Sequence, residues 1–276
     1  MTRPTKVGFA FRRQYREGLL GLEQDARAPE VLELMAESFD PRLPGRVHDV
    51  AALRERYALI GHAVGLSVGS VERPPAAYVE GVARFLELVQ PSHFSDHVAI
   101  TWAGGRDFGH LTPIVYCERS LEQVVDNLLA LRSVLGILPA LEIIAEPFVL
   151  PELDWDQGRF VSELHRATGC KIHLDVTNVH INAHNFGFCP RAFIAALPAE
   201  AIELMHVVGY GRYDEHELAD THDQDIQPEL WSLVEYALAR VRPAHVIIER
   251  DGNFPSYAAM LGEVERLRSL VEGAPA

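Results

Sequence analysis

Runs of apolar, β-prone residues recur along the whole chain, and between most of them the apolar positions change to a helical period. Eight runs read as strands: VGFAF (7–11), VLELMAE (31–37), YALIGHAV (57–64), HFSDHVAI (93–100), LEIIAEP (141–147), KIHLDV (171–176), IELMHVV (202–208) and HVIIER (245–250). After the Pro-Pro start at Pro74, the spacing of Val79, Val82, Ala83, Leu86 and Val89 predicts a helix. Ser120 with Gln123 predicts a capping box opening the helix through Leu121, Val124, Val125 and Leu128, with Gly136 as its stop. Pro190 and Pro228 each mark a helix start, the second helix running through Leu230, Leu233 and Val234 to Val241. A last helix spans Tyr257 to Val271.

Eight strands alternating with helices over a chain of this length predict a (β/α)8 TIM barrel. A doubly wound open sheet is the alternative, but no GxGxxG follows a strand and no GxxxxGK[ST] occurs. No linker or shift in composition marks a second unit, so residues 1–276 read as one catalytic domain.

Composition narrows the function. At 48% hydrophobic, the 276 residues can bury one large core. No apolar run approaches membrane-spanning length, and the N-terminus lacks a secretory pattern. Cys117, Cys170 and Cys189 show no CxxC spacing. The expectation is a cytoplasmic protein without membrane contact. A net charge of −14 argues against nucleic acid as partner, because phosphate neutralisation needs basic excess. Thirteen histidines beside thirty-nine carboxylates suit a metal protein.

Active sites of such barrels form at the C-terminal ends of the strands. There the chain offers His62, then Asp96 and His97, Glu146, Asp175 and Asn178, His206, and Glu249 with Asp251. Asp220, His222 and Asp223 fall between the last two strands. Any one of these has a bland reading as a cap, an ion pair or a core hydrogen bond. Together they do not, because clustered buried carboxylates repel and call for cations. Imidazole and carboxylate without thiolate favour iron, zinc or manganese. The remaining polar residues of KIHLDVTNVHINAHNFGF (171–188), His180, Asn182, His184 and Asn185, read as loop residues after the strand.

The segments GHAVGLSVGS, SDHV, AEPF, LDVTNVHINAHNFGF, HVVGYG, DTHD and IIERD, in this order, resemble the multinuclear non-heme iron-dependent oxidative enzymes, a family that includes the catalytic subunit of methanobactin biosynthesis. The resemblance runs from about residue 6 to residue 260. It implies a xylose isomerase-like barrel and two or three iron ions in a mixed Fe2+/Fe3+ state. Glu146 would bridge two metals, with His62 and His97 completing the first site and Asp175, His206 and Glu249 the second. Asn178, Asp220 and His222 would form a third site, weakened because an amide stands where related endonucleases have histidine. Glu146, His206 and Asp175 would be the residues most directly tied to catalysis. Asp96, Asp223 and Asp251 are candidates to orient the histidines, and His184 to line the substrate cleft. Arg250 is expected to pair with an acid.

What the resemblance implies for function is oxidation of a ribosomally made precursor peptide, at cysteine, with dioxygen, in natural-product biosynthesis. A small partner protein that binds the leader peptide is an expectation of the same kind. Two other readings compete: a zinc or manganese hydrolase or isomerase on the same barrel, and a binding barrel with a vestigial site.

Overall fold

The computed structural model describes residues 4–21, 26–39, 44–150 and 154–274, without the side chains of 44–47. Its strands are β1 (Lys6–Ala10), β2 (Val31–Met35), β3 (Ala58–His62), β4 (Phe94–His97), β5 (Ile100–Ala103), β6 (Arg106–Thr112), β7 (Ala140–Glu142), β8 (Ile172–Asp175), β9 (Ile202–Val207), β10 (Gly209–Arg212), β11 (Leu218–Gln224) and β12 (His245–Ile248). The α-helices are α1 (Arg16–Leu20), α2 (Pro44–Arg54), α3 (Ala76–Val89), α4 (Glu118–Leu135), α5 (Gln157–Thr168), α6 (Val176–Phe186), α7 (Pro190–Ala196), α8 (Pro228–Leu238) and α9 (Tyr257–Gly273). Eight strands close into a parallel barrel in the order β1-β12-β9-β8-β7-β4-β3-β2, which are the eight strands expected from the sequence. The remaining four make two antiparallel hairpins, β5-β6 and β10-β11, in the connections after β4 and β9.

The barrel wall separates two apolar clusters. The larger lies between the strands and the surrounding helices. The smaller fills the barrel itself and draws Ala10, Val31, Ile60, Ala140, Leu204 and Ile247 from six strands. Because strand side chains alternate faces, the next inward positions lie two residues further on. They are Glu33, His62, Glu142, His206 and Glu249, joined by His97 on β4 and by Asp175 on β8. An apolar plug thus carries a polar layer on its C-terminal side. The close fit of the wall shows at Gly8, where a Cβ would lie 1.7 Å from the Val31 carbonyl oxygen of the neighbouring strand.

Two local expectations are corrected. Ser120 does not cap a helix: α4 already begins at Glu118, and Ser120 Oγ lies 3.4 Å from Cys117 Sγ. The stop at Gly136 does form, in the left-handed conformation at φ 73° with its N–H on the Arg132 carbonyl. The residues after Asp175 are not a loop but the helix α6. Asp175 itself caps it, Oδ1 accepting the Thr177 and Asn178 amides at 2.6 and 2.9 Å. The same residue ends a strand, starts a helix and leaves its second oxygen, Oδ2, buried and without a hydrogen bond.

Among the described residues no helix is long and apolar enough to cross a membrane.

Candidate metal centre

The polar layer inside the barrel is centred on Glu142. Its Oε2 lies 3.8 Å from His62 Nε2, 3.7 Å from His97 Nε2 and 3.2 Å from His173 Nδ1. Its Oε1 lies 3.6 Å from His206 Nδ1, which is also 3.0 Å from Glu249 Oε2. A second cluster adjoins through Glu249. His222 Nδ1 is 3.5 Å from Glu249 Oε2 and 3.4 Å from Asp251 Oδ2, and His222 Nε2 is 2.7 Å from Asp220 Oδ1. Three sets of potential ligand atoms with mutual separations under 4.8 Å follow: His62, His97 and Glu142; Glu142, Asp175, His206 and Glu249; and His222, Glu249 and Asp251. His173 joins Glu142 and His206 in a further set of the same kind.

The orientation of the histidines has visible causes. Ser95 Oγ meets His62 Nδ1 at 2.7 Å, which turns Nε2 toward Glu142. On His206, Glu33 Oε2 meets Nε2 at 3.0 Å and leaves Nδ1 facing Glu142 and Glu249. Glu33 reaches across the barrel from β2 and is fully buried. A carboxylate on the far nitrogen of a histidine is the usual device for fixing the tautomer of a metal ligand.

This layer is electrostatically uncomfortable without cations. Burial pushes Glu142 up to about 8 and Asp175 up to about 6. It presses His97 down to about 4 and holds His62 and His173 well below 6.5. Burial also works against charge on His206, but Glu33, Glu249 and Glu142 around it outweigh that and hold it well above 6.5. Glu249 is likewise opposed by burial, yet His206 and His222 keep it well below its ordinary range. Several buried atoms have no hydrogen-bond partner: His62 Nε2, His206 Nδ1, Glu142 Oε2, Asp175 Oδ2 and Asn178 Oδ1. Orphans of this kind cost roughly 1–3 kcal/mol each, so a cluster of them at one place fits a set of cation ligands.

Some residues singled out in the sequence stand elsewhere. Glu146 is not in the layer. It lies beyond the end of β7, where its Oε1 accepts from Tyr116 Oη, and its backbone N–H donates to Asn182 Oδ1 at 2.8 Å. The central carboxylate is Glu142, because Leu141 and Ile143 face the helices and Glu142 faces the barrel. Asp96 also points out of the barrel. It accepts the Leu66 amide at 3.0 Å and its neighbour's amide at 2.6 Å, so it latches the loop after β3 and does not touch the His97 ring. Asp223 accepts from Thr221, Gln224 and Asn253, not from His222. His184 is exposed with Nε2 on the His216 carbonyl, which pins α6 to the β10-β11 connection. His180 stacks on Tyr210. Arg250 pairs with Asp225 and Glu263. Asp251 is held by Arg12 while its other oxygen faces His222. Glu33, Glu142 and His173 escaped the sequence reading. Their signal was a polar residue between apolar neighbours, Glu33 in VLELM, Glu142 in LEII and His173 between Ile172 and Leu174 in KIHLDV.

Comparison with known proteins gives the family and the fold. The model of the RiPP precursor modification enzyme family MbnB/TglH/ChrH, acting on ribosomally synthesised and post-translationally modified peptides, matches residues 6–272. The chain belongs to that family. It is the family that the ordered motifs resemble. A UPF0276 protein of Bordetella bronchiseptica is 35% identical over 270 residues, covering 96% of this chain and 92% of the relative. One of Chromobacterium violaceum is 32% identical over 280 residues, covering 99% and 97%. Among solved structures, a D-psicose 3-epimerase superposes with a TM-score of 0.60 at 13% identity, covering 98% of this chain and 100% of its own. A 3-keto-D-glucoside 4-epimerase from E. coli gives 0.62 at 15%, covering 96% and 99%. At such identities these neighbours establish the fold, a xylose isomerase-like TIM barrel.

Proposed function

We propose that this protein is a multinuclear iron enzyme that oxidises a precursor peptide, at cysteine, with dioxygen. The family membership supplies the peptide substrate class. The observation that carries the metal reading is the convergence of orphaned imidazole and carboxylate atoms around Glu142. Glu142 would be shared between two ions, His62 and His97 serving one and Asp175, His206 and Glu249 the other. Asp220, His222 and the free Oδ1 of Asn178 would serve a third, with Asp251 beside it. Bound iron would supply a Lewis acid for a substrate thiolate and a redox partner for dioxygen.

The chain's own contribution is arrangement. Ser95 and Glu33 hold His62 and His206 with the correct nitrogen forward. The apolar plug below the layer keeps water from reaching it through the barrel. A small leader-binding partner protein remains part of the proposal, as does a cytoplasmic setting.

Metal analysis of the purified protein, with dioxygen uptake measured in the presence of the co-expressed precursor peptide, tests this reading. Glu142→Ala is expected to lose both metal and modification. Full modification by a metal-free protein refutes it, and full modification by a zinc-only protein returns the site to hydrolase or isomerase chemistry.

A further inference from the structure

Glu146, displaced from the metal layer, has an environment of its own. It lines a cavity of about 520 Å3 between the connection after β7, the end of α6 and the start of α7. Phe186, Phe188 and Phe193 line it with Val149, and Tyr116 and Gln157 meet Glu146. Phe188 and Val149 remain 38% and 53% exposed, too open for core residues of that size.

The charge balance is one-sided. Glu146 and Asp156 line this cavity, and no Lys, Arg or His does among the described residues. Asp156 is already engaged as the cap of α5. The two donors that reach the Glu146 carboxyl are neutral, the Tyr116 hydroxyl and the Gln157 amide at 3.4 Å, and its backbone N–H donates to Asn182 Oδ1. Burial pushes the Glu146 carboxyl up, as expected for an acid with no counter-ion.

An apolar cavity carrying one carboxyl is matched by a side chain with an apolar stem and a cationic tip. The volume lies within the range of ligand-binding clefts, about 300–1,000 Å3. The cavity is also tied to the candidate centre. Asn182 reaches the Ile144 carbonyl at 2.8 Å, and Asn178, one helical turn earlier on α6, reaches the Ile143 carbonyl at 3.1 Å.

We infer that this cavity is a subsite for a lysine or arginine side chain of the precursor peptide, Glu146 meeting the cation and the three phenylalanines packing the stem. The inference rests on the proposed peptide substrate.

The probe is n-butylguanidinium, with n-butylurea as its neutral counterpart, titrated into the protein as purified by ligand-observed NMR. Saturable binding of the cation is expected, at least about tenfold tighter than the urea. Glu146→Gln should remove most of that preference, while its metal content and melting temperature stay as in the parent, since Glu146 contacts no candidate ligand. Ala192→Trp, on the exposed side of α7, should block the probe without touching Glu146. Equal binding of the urea, or an unchanged preference in Glu146→Gln, overturns the inference. Metal content read on the same samples reports separately on the metal centre, so failure of one reading is not mistaken for failure of the other.

Discussion

Replacing Glu33 by Gln isolates the role of the carboxylate behind His206. The change keeps the volume and removes one charge from a site with no solvent exposure. In the parent, Glu33 Oε2 lies 3.0 Å from His206 Nε2 and holds a proton there, so a cation between Glu142 and Glu249 would displace the proton of Nδ1 alone. The amide of a glutamine can instead donate to Nε2, which favours the wrong tautomer. Loss of such a partner weakens metal binding by about 10–100-fold. At about 1.4 kcal/mol per decade this is roughly 1.4–2.8 kcal/mol. The metal-free fold should respond differently. Glu33 Oε1 is buried without a hydrogen bond, and burial pushes the Glu33 carboxyl up, so the parent bears a desolvation cost that the amide lessens. The expected pattern is a metal-free melting temperature equal to or above the parent's, with a smaller rise on adding metal. Chelator competition gives the affinity, and thermal unfolding with and without metal gives the difference. An unchanged affinity, with both melting curves shifted equally, refutes the orienting role.

Three further outcomes follow from the same layer and its wall. Metal-free protein should lose stability as pH rises from about 6.5 to 8: Glu142, raised to about 8 from 4.5, contributes stability present below 4.5 and lost through 8. His206 and His222, held above 6.5, act in the same direction, whereas His97, lowered to about 4, affects only the range below 6.5; denaturant melts at several pH values check this. Asn178→His should increase occupancy of the third site, because imidazole is the stronger ligand; metal-to-protein ratios after dialysis read it, and an unchanged ratio counts against Asn178 as a ligand. Gly8→Ala should destabilise by at least about 2 kcal/mol, since its Cβ meets backbone and not a movable side chain; equilibrium unfolding measures it.

The barrel was legible because its strands are apolar on both faces and its helices on one, and the two periods separate cleanly. The hairpins β5-β6 and β10-β11 were not. ITWA and GYGR are short and RDFGHLT has five exposed residues, while β10-β11 buries only Tyr210, Leu218 and Ala219 beside its two glycines, too few apolar positions to show an alternation. Helix α6 was missed for a related reason. VTNVHINAHNF has a β-branched start and polar residues on every side, and its buried amides Asn178 and Asn182 bond to carbonyls of the neighbouring connection, not to solvent. A pattern that assigns polar residues to the surface reads such a helix as a loop.

The exchange of Glu142 for Glu146 has a more instructive cause. Sequence reasoning looked for ligands where strands end, and AEPF ends the apolar run. In this barrel the polar layer starts before the apolar runs end: β7 stops at Glu142, and β2 and β8 carry Glu33 and His173 within the strand, above an apolar plug only one inward position deep. A glutamate inside a short apolar run is carried into the interior with it, and its burial demands a partner. Alternation then decides which carboxylate faces in: Ala140 fills the plug, so Glu142 is inward and Leu141 outward. The polar residue inside the apolar run, not the one at its end, marks the centre. The carboxylate after it, Glu146, falls outside the layer and lines a separate cavity with Tyr116 and Gln157.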